Sequence, residues 1–439
     1  MKQLDLFGSF RLLNRRLMPQ CVLDANNGKG WFPAISTFTT WTIILVFLWK
    51  MINLIISFWN PDLSDFRYTE FFINFEGGFV RRGLLGECLL QLSKYTGVSP
   101  DIFISIGCLS VFLCVLAFFL REFKVNGYCW WMLFSPFLFG FTYIIIKTDF
   151  LLYGILILIL LLIRPFKISF KRVVAASILM ILSLFIHEGF IFWGVPTCLF
   201  LLFSQKRFRW YSVALLVVTV AVFLTLCFFK GNNVVAKAIT DSWDGLVQFG
   251  LPGKDNAVSA IGWSGRYAFL YHIKANFVDN PFSYLGIVVK LGLSLASYYF
   301  IVNFLSMFSP DKFSNEKRIV LGSIWLLTLI CMIPMLTILC CDYARVNQFI
   351  AVTAYSTLLI IPTETVVNAM PRWYINLIKR IDGGMRKFLP PSRGLMCVML
   401  LTFAVPICSI SFDGVFFNSI IGSFFNCIWE VFDLVRTTL

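Results

Sequence analysis

The sequence predicts an all-α polytopic integral membrane protein of about 11–12 transmembrane helices, with further helices lying along its outer face. Three observations predict it. Hydrophobic residues make up 59% of the 439 and charged residues only 14%, where soluble domains carry roughly 25% charged residues. The apolar runs are mostly near the roughly 20 residues that an α-helix needs to cross a bilayer, not the ~10 of an alternating barrel strand. Between the runs, Lys and Arg collect in every second connection.

Apolar windows place spans at 37–59, 102–120, 128–146, 150–163, 173–187, 190–203, 210–229, 283–307, 319–340, 346–361 and 395–411. A last stretch, 415–435, either crosses or lies in the interface. The whole of 1–439 reads as one transmembrane domain. The first run begins near Thr37 and ends without a small-residue cleavage site, so it reads as an anchor. Merging 173–203 into one helix would reverse every later span, and charge favours a break at His187. With the break and a cytoplasmic N-terminus, Arg121 and Lys124, Arg164 to Arg172, Lys206 to Arg209, Lys312 to Arg318 and the basic loop 362–394 all fall inside, as the positive-inside rule requires. The net charge of +14 therefore reports orientation in a membrane rather than nucleic-acid binding.

The other connections face outward: loop 60–101, the turn Lys147-Thr148-Asp149, the turn His187-Glu188, the long loop 230–282 and the turn Asp342 to Arg345. They hold most of the carboxylates, whereas only Lys50 and Lys290 lie near the middle of a span. Secondary transporters keep ionisable groups near the midplane; polar machinery at one surface suits an enzyme whose substrate is anchored in the membrane. The 13 cysteines are scattered through apolar runs as small core residues, and Cys340-Cys341 has no second ligand pair, so no metal site is expected. P-loop, dinucleotide, zinc-protease and serine-elbow patterns are not found, and no cofactor is implied.

In loop 60–101, the segment "NFEGGFVRRGLLGECLLQL" sets Gly77-Gly78 and then Arg81-Arg82 ahead of an amphipathic helix carrying Val80, Leu84, Cys88, Leu89 and Leu92. Cations are disfavoured at a helix N-terminus and in outer loops. An anion resolves both conflicts: a phosphate or diphosphate ligand, lipid phosphates, or the carboxylates Glu70, Glu76 or Glu87. In the same loop Asp65, preferred over Asp62, is a candidate general base for a sugar hydroxyl. His187 and Glu188 are candidates for proton transfer at an outer turn. Lys147 and Asp149 form a candidate binding pair or a simple ion pair. Asp342 and Arg345, three apart, either satisfy each other or send Arg345 to a phosphate. Loop 230–282 carries "IGWSGRYAFLYHI", with Arg266 as a substrate contact and Trp263, Tyr267, Tyr271 and His272 beside it; short interfacial helices covering a cleft are expected there.

Together, the "GGFVRRGLLG" box, "HEG" and "DYAR" resemble multi-span envelope proteins of bacteria: the Wzy-type and EpsG-like polysaccharide polymerases, and in layout the GT-C glycosyltransferases. The resemblance implies a polyprenyl-linked saccharide as substrate, Asp65 in the place of the first-loop acid, and Arg81, Arg82 and Arg345 as holders of the lipid diphosphate. It also implies membrane lipids and envelope-assembly proteins as partners. The expected function is glycosyl transfer or polymerisation on undecaprenyl-linked saccharide at the outer face. A transporter or flippase of an anionic solute, and a non-catalytic envelope subunit, are the alternatives.

Overall fold

The computed structural model describes residues 13–14, 16–25, 32–59, 63, 65–135, 138, 146–165, 168–247, 256–278, 286–339, 343–404 and 419–438. Among these the chain is 82% helical and contains no strand. Asp62, Cys340, Cys341 and Asp342 lie outside the described residues.

The principal helices are α1 (Phe32–Trp59), α2 (Gly83–Thr96), α3 (Pro100–Asn126), α4 (Thr148–Leu162), α5 (Phe170–Ile186), α6 (Phe190–Ser204) and α7 (Arg209–Phe228). Short helices α8 (Asn233–Asp241), α9 (Ala257–Ile261) and α10 (Gly265–Phe277) follow. The chain then runs through α11 (Gly286–Phe308), α12 (Asn315–Cys331), α13 (Tyr343–Ile360), α14 (Thr363–Ala369), α15 (Arg372–Phe388), α16 (Arg393–Thr402) and α17 (Ile420–Thr438).

Four segments are long and apolar enough to cross a membrane: Phe32–Phe58, Pro100–Asn126, Lys206–Phe228 and Val288–Phe308. The pair α13 and α14, bent by 114°, brings the number to five if taken as one span. The break at His187 is present, with α5 ending at Ile186 and α6 starting at Phe190. Yet α4 and α6 are only 15 residues each, about 22 Å of helix against a ~30 Å hydrocarbon core. The described start of the expected span 128–146 departs from a helix altogether. Gly127, at φ 66, caps α3 in the left-handed conformation, and a 3₁₀ turn at Trp130–Phe134 follows with Trp131, Met132 and Leu133 fully buried. Pro136, which has no N–H to donate, comes directly after this turn.

The helices alternate in direction, giving the bundle two chemically different ends. At one end Tyr128 lies under Lys317 and Gly127 meets the side chain of Lys312. At the other end are the start of α4, the α5–α6 turn and the start of α13, joined by the Asp149–Arg345 pair. The end of α7 belongs there too, since the Phe229 carbonyl accepts from the Arg81 N–H at 2.9 Å.

The described parts of loops 60–101 and 230–282 fold together over this second end. Trp243 donates from its indole to the Phe72 carbonyl at 2.8 Å, Asn74 donates to Ser242 at 2.8 Å, and the Ala257 N–H donates to the Thr69 hydroxyl at 3.0 Å. Beneath these bonds Phe72, Ile73, Val80, Leu90, Ile239, Trp243 and Ile261 form a small core separate from that of the bundle. Amphipathic α2 rests on it, so closely that a Cβ at Gly86 would lie 1.9 Å from the Ile73 carbonyl oxygen and 2.8 Å from that of Phe71. Alanine is a better helix former than glycine by about 1 kcal/mol, but here the obstacle is backbone. Gly86→Ala should therefore destabilise the cap by about 2 kcal/mol or more, read as faster amide exchange in 65–96 with the bundle helices unchanged.

Candidate functional site

Seven charged or titratable side chains from four separated segments meet at the capped end. The first segment supplies Glu70, Arg81 and Arg82, and the geometry starts with Arg82. It caps α2 from a left-handed conformation, φ 64 and ψ 2, and is the one non-glycine residue with positive φ among the described residues. Such a conformation costs on the order of 1–3 kcal/mol and persists only where surrounding contacts impose it. Those contacts are a two-pronged bond to Glu188, Nε to Oε2 at 2.8 Å and Nη2 to Oε1 at 2.7 Å. Arg81 adds Nη1 to Oε1 at 3.1 Å. The anion that reconciles two arginines with a helix start is thus, in the first place, the chain's own Glu188.

Burial alone would raise the Glu188 carboxyl, but the charges of Arg82, Arg81 and neighbouring groups hold it well below the usual carboxylate range. A carboxylate that accepts three guanidinium hydrogen bonds is a poor base. His187 is occupied as well. Its Nδ1 accepts from the Gly189 N–H at 3.0 Å, so in the neutral ring the proton sits on Nε2, which faces Glu70 Oε1 at 3.7 Å. Burial, and then the positive charge of Arg82, push its pKa down to about 4.

That shift has a definite sign. Between an unfolded value of ~6.5 and the folded value of about 4, the unfolded chain binds the extra proton, so stability falls as pH falls through this window. Unfolding measured from pH 7 to pH 4 should lose up to about 3 kcal/mol in the wild type. His187→Gln should flatten the part of the profile above pH ~5.

Arg345 makes a parallel two-pronged bond to Asp149, Nε to Oδ2 and Nη2 to Oδ1, both at 2.6 Å; Asp342 lies outside the described residues. Lys147, 8% exposed, precedes Asp149 in the same turn. Glu70 sits between the two arginine systems, with Oε1 3.7 Å from Arg82 Nη1 and 3.9 Å from Arg345 Nη2. It is 2% exposed, and neither of its oxygens has a hydrogen-bond partner. Three arginines and three carboxylates thus gather around a neutral histidine, with buried Lys147 beside Asp149.

Asp65 stands apart from this cluster. It caps the short helix Phe66–Thr69 by accepting from the Arg67 N–H at 2.8 Å. Both oxygens also receive the Arg67 guanidinium, at 3.0 and 2.7 Å. Burial would raise its pKa, but the Arg67 bonds and charge outweigh that and lower it. A general-base role for Asp65 is therefore not what this geometry favours: a carboxylate fastened by its own neighbour two residues on is a cap. Arg266 is exposed on α10 and does not face the cluster.

Beside the cluster opens a cavity of about 380 Å³. Its lining mixes the polar side chains of Arg81, Arg82, His187 and Glu188 with the apolar ones of Phe192, Phe223, Phe269 and Leu339. His272 of α10 lines it too, so both histidines of the chain border one space. The His272 Nδ1 is buried without a hydrogen-bond partner, as is Arg81 Nε. No group of three or more His, Cys, Asp or Glu side chains is arranged as metal ligands among the described residues.

No family model, curated protein or solved structure matches this chain. The site is therefore interpreted from its own geometry.

Sequence reasoning passed over two residues. Glu70 appeared only as one of three candidate partners for the arginines, although a lone carboxylate inside the apolar run "YTEFFINF" signals a buried charge that needs cations. His272 carried a signal too, as one of only two histidines.

Proposed function

We propose that this protein is a membrane-embedded glycosyltransferase or polysaccharide polymerase, acting on a polyprenyl-diphosphate-linked saccharide at the outer end of the bundle. The observation that carries this reading is the mixed lining of the cavity. Its guanidinium groups suit a diphosphate, and its aromatic and aliphatic side chains suit the first units of an isoprenoid tail and the face of a sugar.

In this reading the diphosphate takes Arg81, whose Nε lacks a partner, and competes with Glu188 for Arg82. An acceptor hydroxyl oxygen forms a bond to the anomeric carbon as the bond from that carbon to the diphosphate oxygen breaks. The electron pair leaves with the diphosphate, whose growing charge the arginines stabilise. The hydroxyl proton passes to the imidazole of His272, which keeps an unpartnered nitrogen where Asp65, His187 and Glu188 do not.

The test is mass spectrometry of lipid-linked saccharides in a strain lacking the protein. Accumulated single repeat units support a polymerase, and truncated units a transferase. An unchanged lipid-linked pool together with unchanged surface polysaccharide removes the proposal.

One observation favours a second reading, a transporter or flippase for the same kind of solute. After α12 the helix widens into a π-helical turn at Met335–Leu339, whose first and last residues line the cavity, and buried Lys290 donates to the Leu336 carbonyl at 2.9 Å. Broken helices beside a solute site are a transporter habit. Complete lipid-linked units accumulating out of reach of impermeant periodate would support this reading over the first.

A further inference from the structure

At the opposite, basic end of the bundle, α15 (Arg372–Phe388) has surfaces that the packing leaves unexplained. With about 100° of rotation per residue, its side chains divide into flanks. Tyr374 and Ile378, 8% and 4% exposed, face inward. The Tyr374 hydroxyl donates to the Ser323 carbonyl at 2.9 Å, and Ile378 reaches Gly322. Asp382 ties the helix to Arg318 of α12 at 2.6 Å.

About a quarter-turn from this packed flank lies a bare apolar one: Trp373, Leu377 and Phe388, exposed by 67%, 39% and 91%. Nearly opposite the packed flank lie Arg372, Arg380 and Lys387, all exposed, with exposed Lys379 on the near side. None of these four has a salt bridge to a described residue. Gly383 and Gly384 lie within the helix near its end, and glycine is the poorest helix former after proline, so this part of α15 is intrinsically weak.

We propose that α15 lies flat in the headgroup layer of the basic-end leaflet and binds anionic phospholipid through Lys379, Arg380 and Lys387. The three directions fit that position on the rim of the bundle. Inward is protein, the bare apolar flank points at right angles into the acyl boundary, and the basic flank points sideways to neighbouring headgroups. Trp373 suits this depth, because indole rings collect at the membrane interface. Basic side chains reach headgroups while their stems stay in apolar surroundings, and anionic lipids attract such clusters. The inference requires a membrane but not the proposed enzymatic activity, so either can fail without the other.

The experiment is amide exchange by mass spectrometry on the full chain in nanodiscs of phosphatidylcholine alone and with one third phosphatidylglycerol. Exchange across 372–388 is expected to slow about tenfold with the anionic lipid, and this difference should shrink in 0.5 M salt through screening. The triple variant Lys379→Gln, Arg380→Gln, Lys387→Gln should lose the lipid dependence while α12 keeps wild-type exchange, which reports an intact fold. A second variant, Trp373→Ser with Phe388→Ser, should exchange fast in both lipids. Equal exchange of the wild type in the two lipids, or a lipid effect that survives the triple substitution, overturns the proposal.

Discussion

Asp149→Ala will lower the unfolding free energy by about 3–5 kcal/mol, the range for breaking a buried ion pair from one side. Arg345 and Asp149 are 12% and 4% exposed and share two bonds of 2.6 Å. With Asp149 gone, the nearest carboxylate oxygen to the guanidinium among the described residues is Glu70 Oε1 at 3.9 Å, too far for a hydrogen bond. Lys147 loses a countercharge in the same turn. Arg345→Ala should cost a comparable amount, because it strands a carboxylate. The decisive measurement is the double variant Asp149→Leu, Arg345→Leu in SDS-induced unfolding from mixed micelles. An apolar pair removes both charges together, so most of the loss should be recovered. A double variant no better than the sum of the single ones would show that the pair does not act as a unit.

On the proposed function, Arg82→Lys is expected to slow surface polysaccharide formation by about 10²-fold, the scale for losing one group that stabilises developing charge, with protein abundance near wild type. Lysine keeps the charge but not the fork that meets Glu188 at two points, and it cannot present the same planar donors to a diphosphate. Backbone and side chain can be separated here. Glycine suits φ 64 far better than any other residue, which offsets part of the cost of leaving buried Glu188 to Arg81 alone, and Arg82→Gly should be as inactive as Arg82→Lys. Near-normal polymer in either variant, with lipid-linked intermediates at wild-type levels, would remove Arg82 from the chemistry and leave it a structural link between the cap and the α5–α6 turn.

Much of the helical layout was legible before any coordinates. The break at His187 followed from charge alone, because merging 173–203 would have reversed the sidedness of every later basic cluster. The amphipathic helix after Arg82 followed from its apolar spacing. Less legible was the stretch after Gly127, because composition marks residues as buried without saying whether they wind as an α-helix. The full number of spans was also beyond reach, since α4 and α6 are apolar but short. In the site, Arg81, Arg82, Lys147, Asp149, His187, Glu188 and Arg345 all come to one end of the bundle, whereas Asp65 is taken by Arg67 and Arg266 stays on the surface. Local rules ranked Asp65 by its place after the first span, and its fastening two residues along was equally local but was not weighed.

By itself, the sequence determined that this chain is apolar and helical with its charges gathered in the connections, because hydropathy and charge are properties each residue carries wherever it lies. Only the tertiary structure decided which charges cancel. Glu70 meets Arg82 and Arg345, Glu188 claims both adjacent arginines, and Asp149 holds Arg345 at two points, because ion pairs depend on distances of a few ångströms between segments as far apart in sequence as Glu70 and Arg345, and no local pattern encodes those distances.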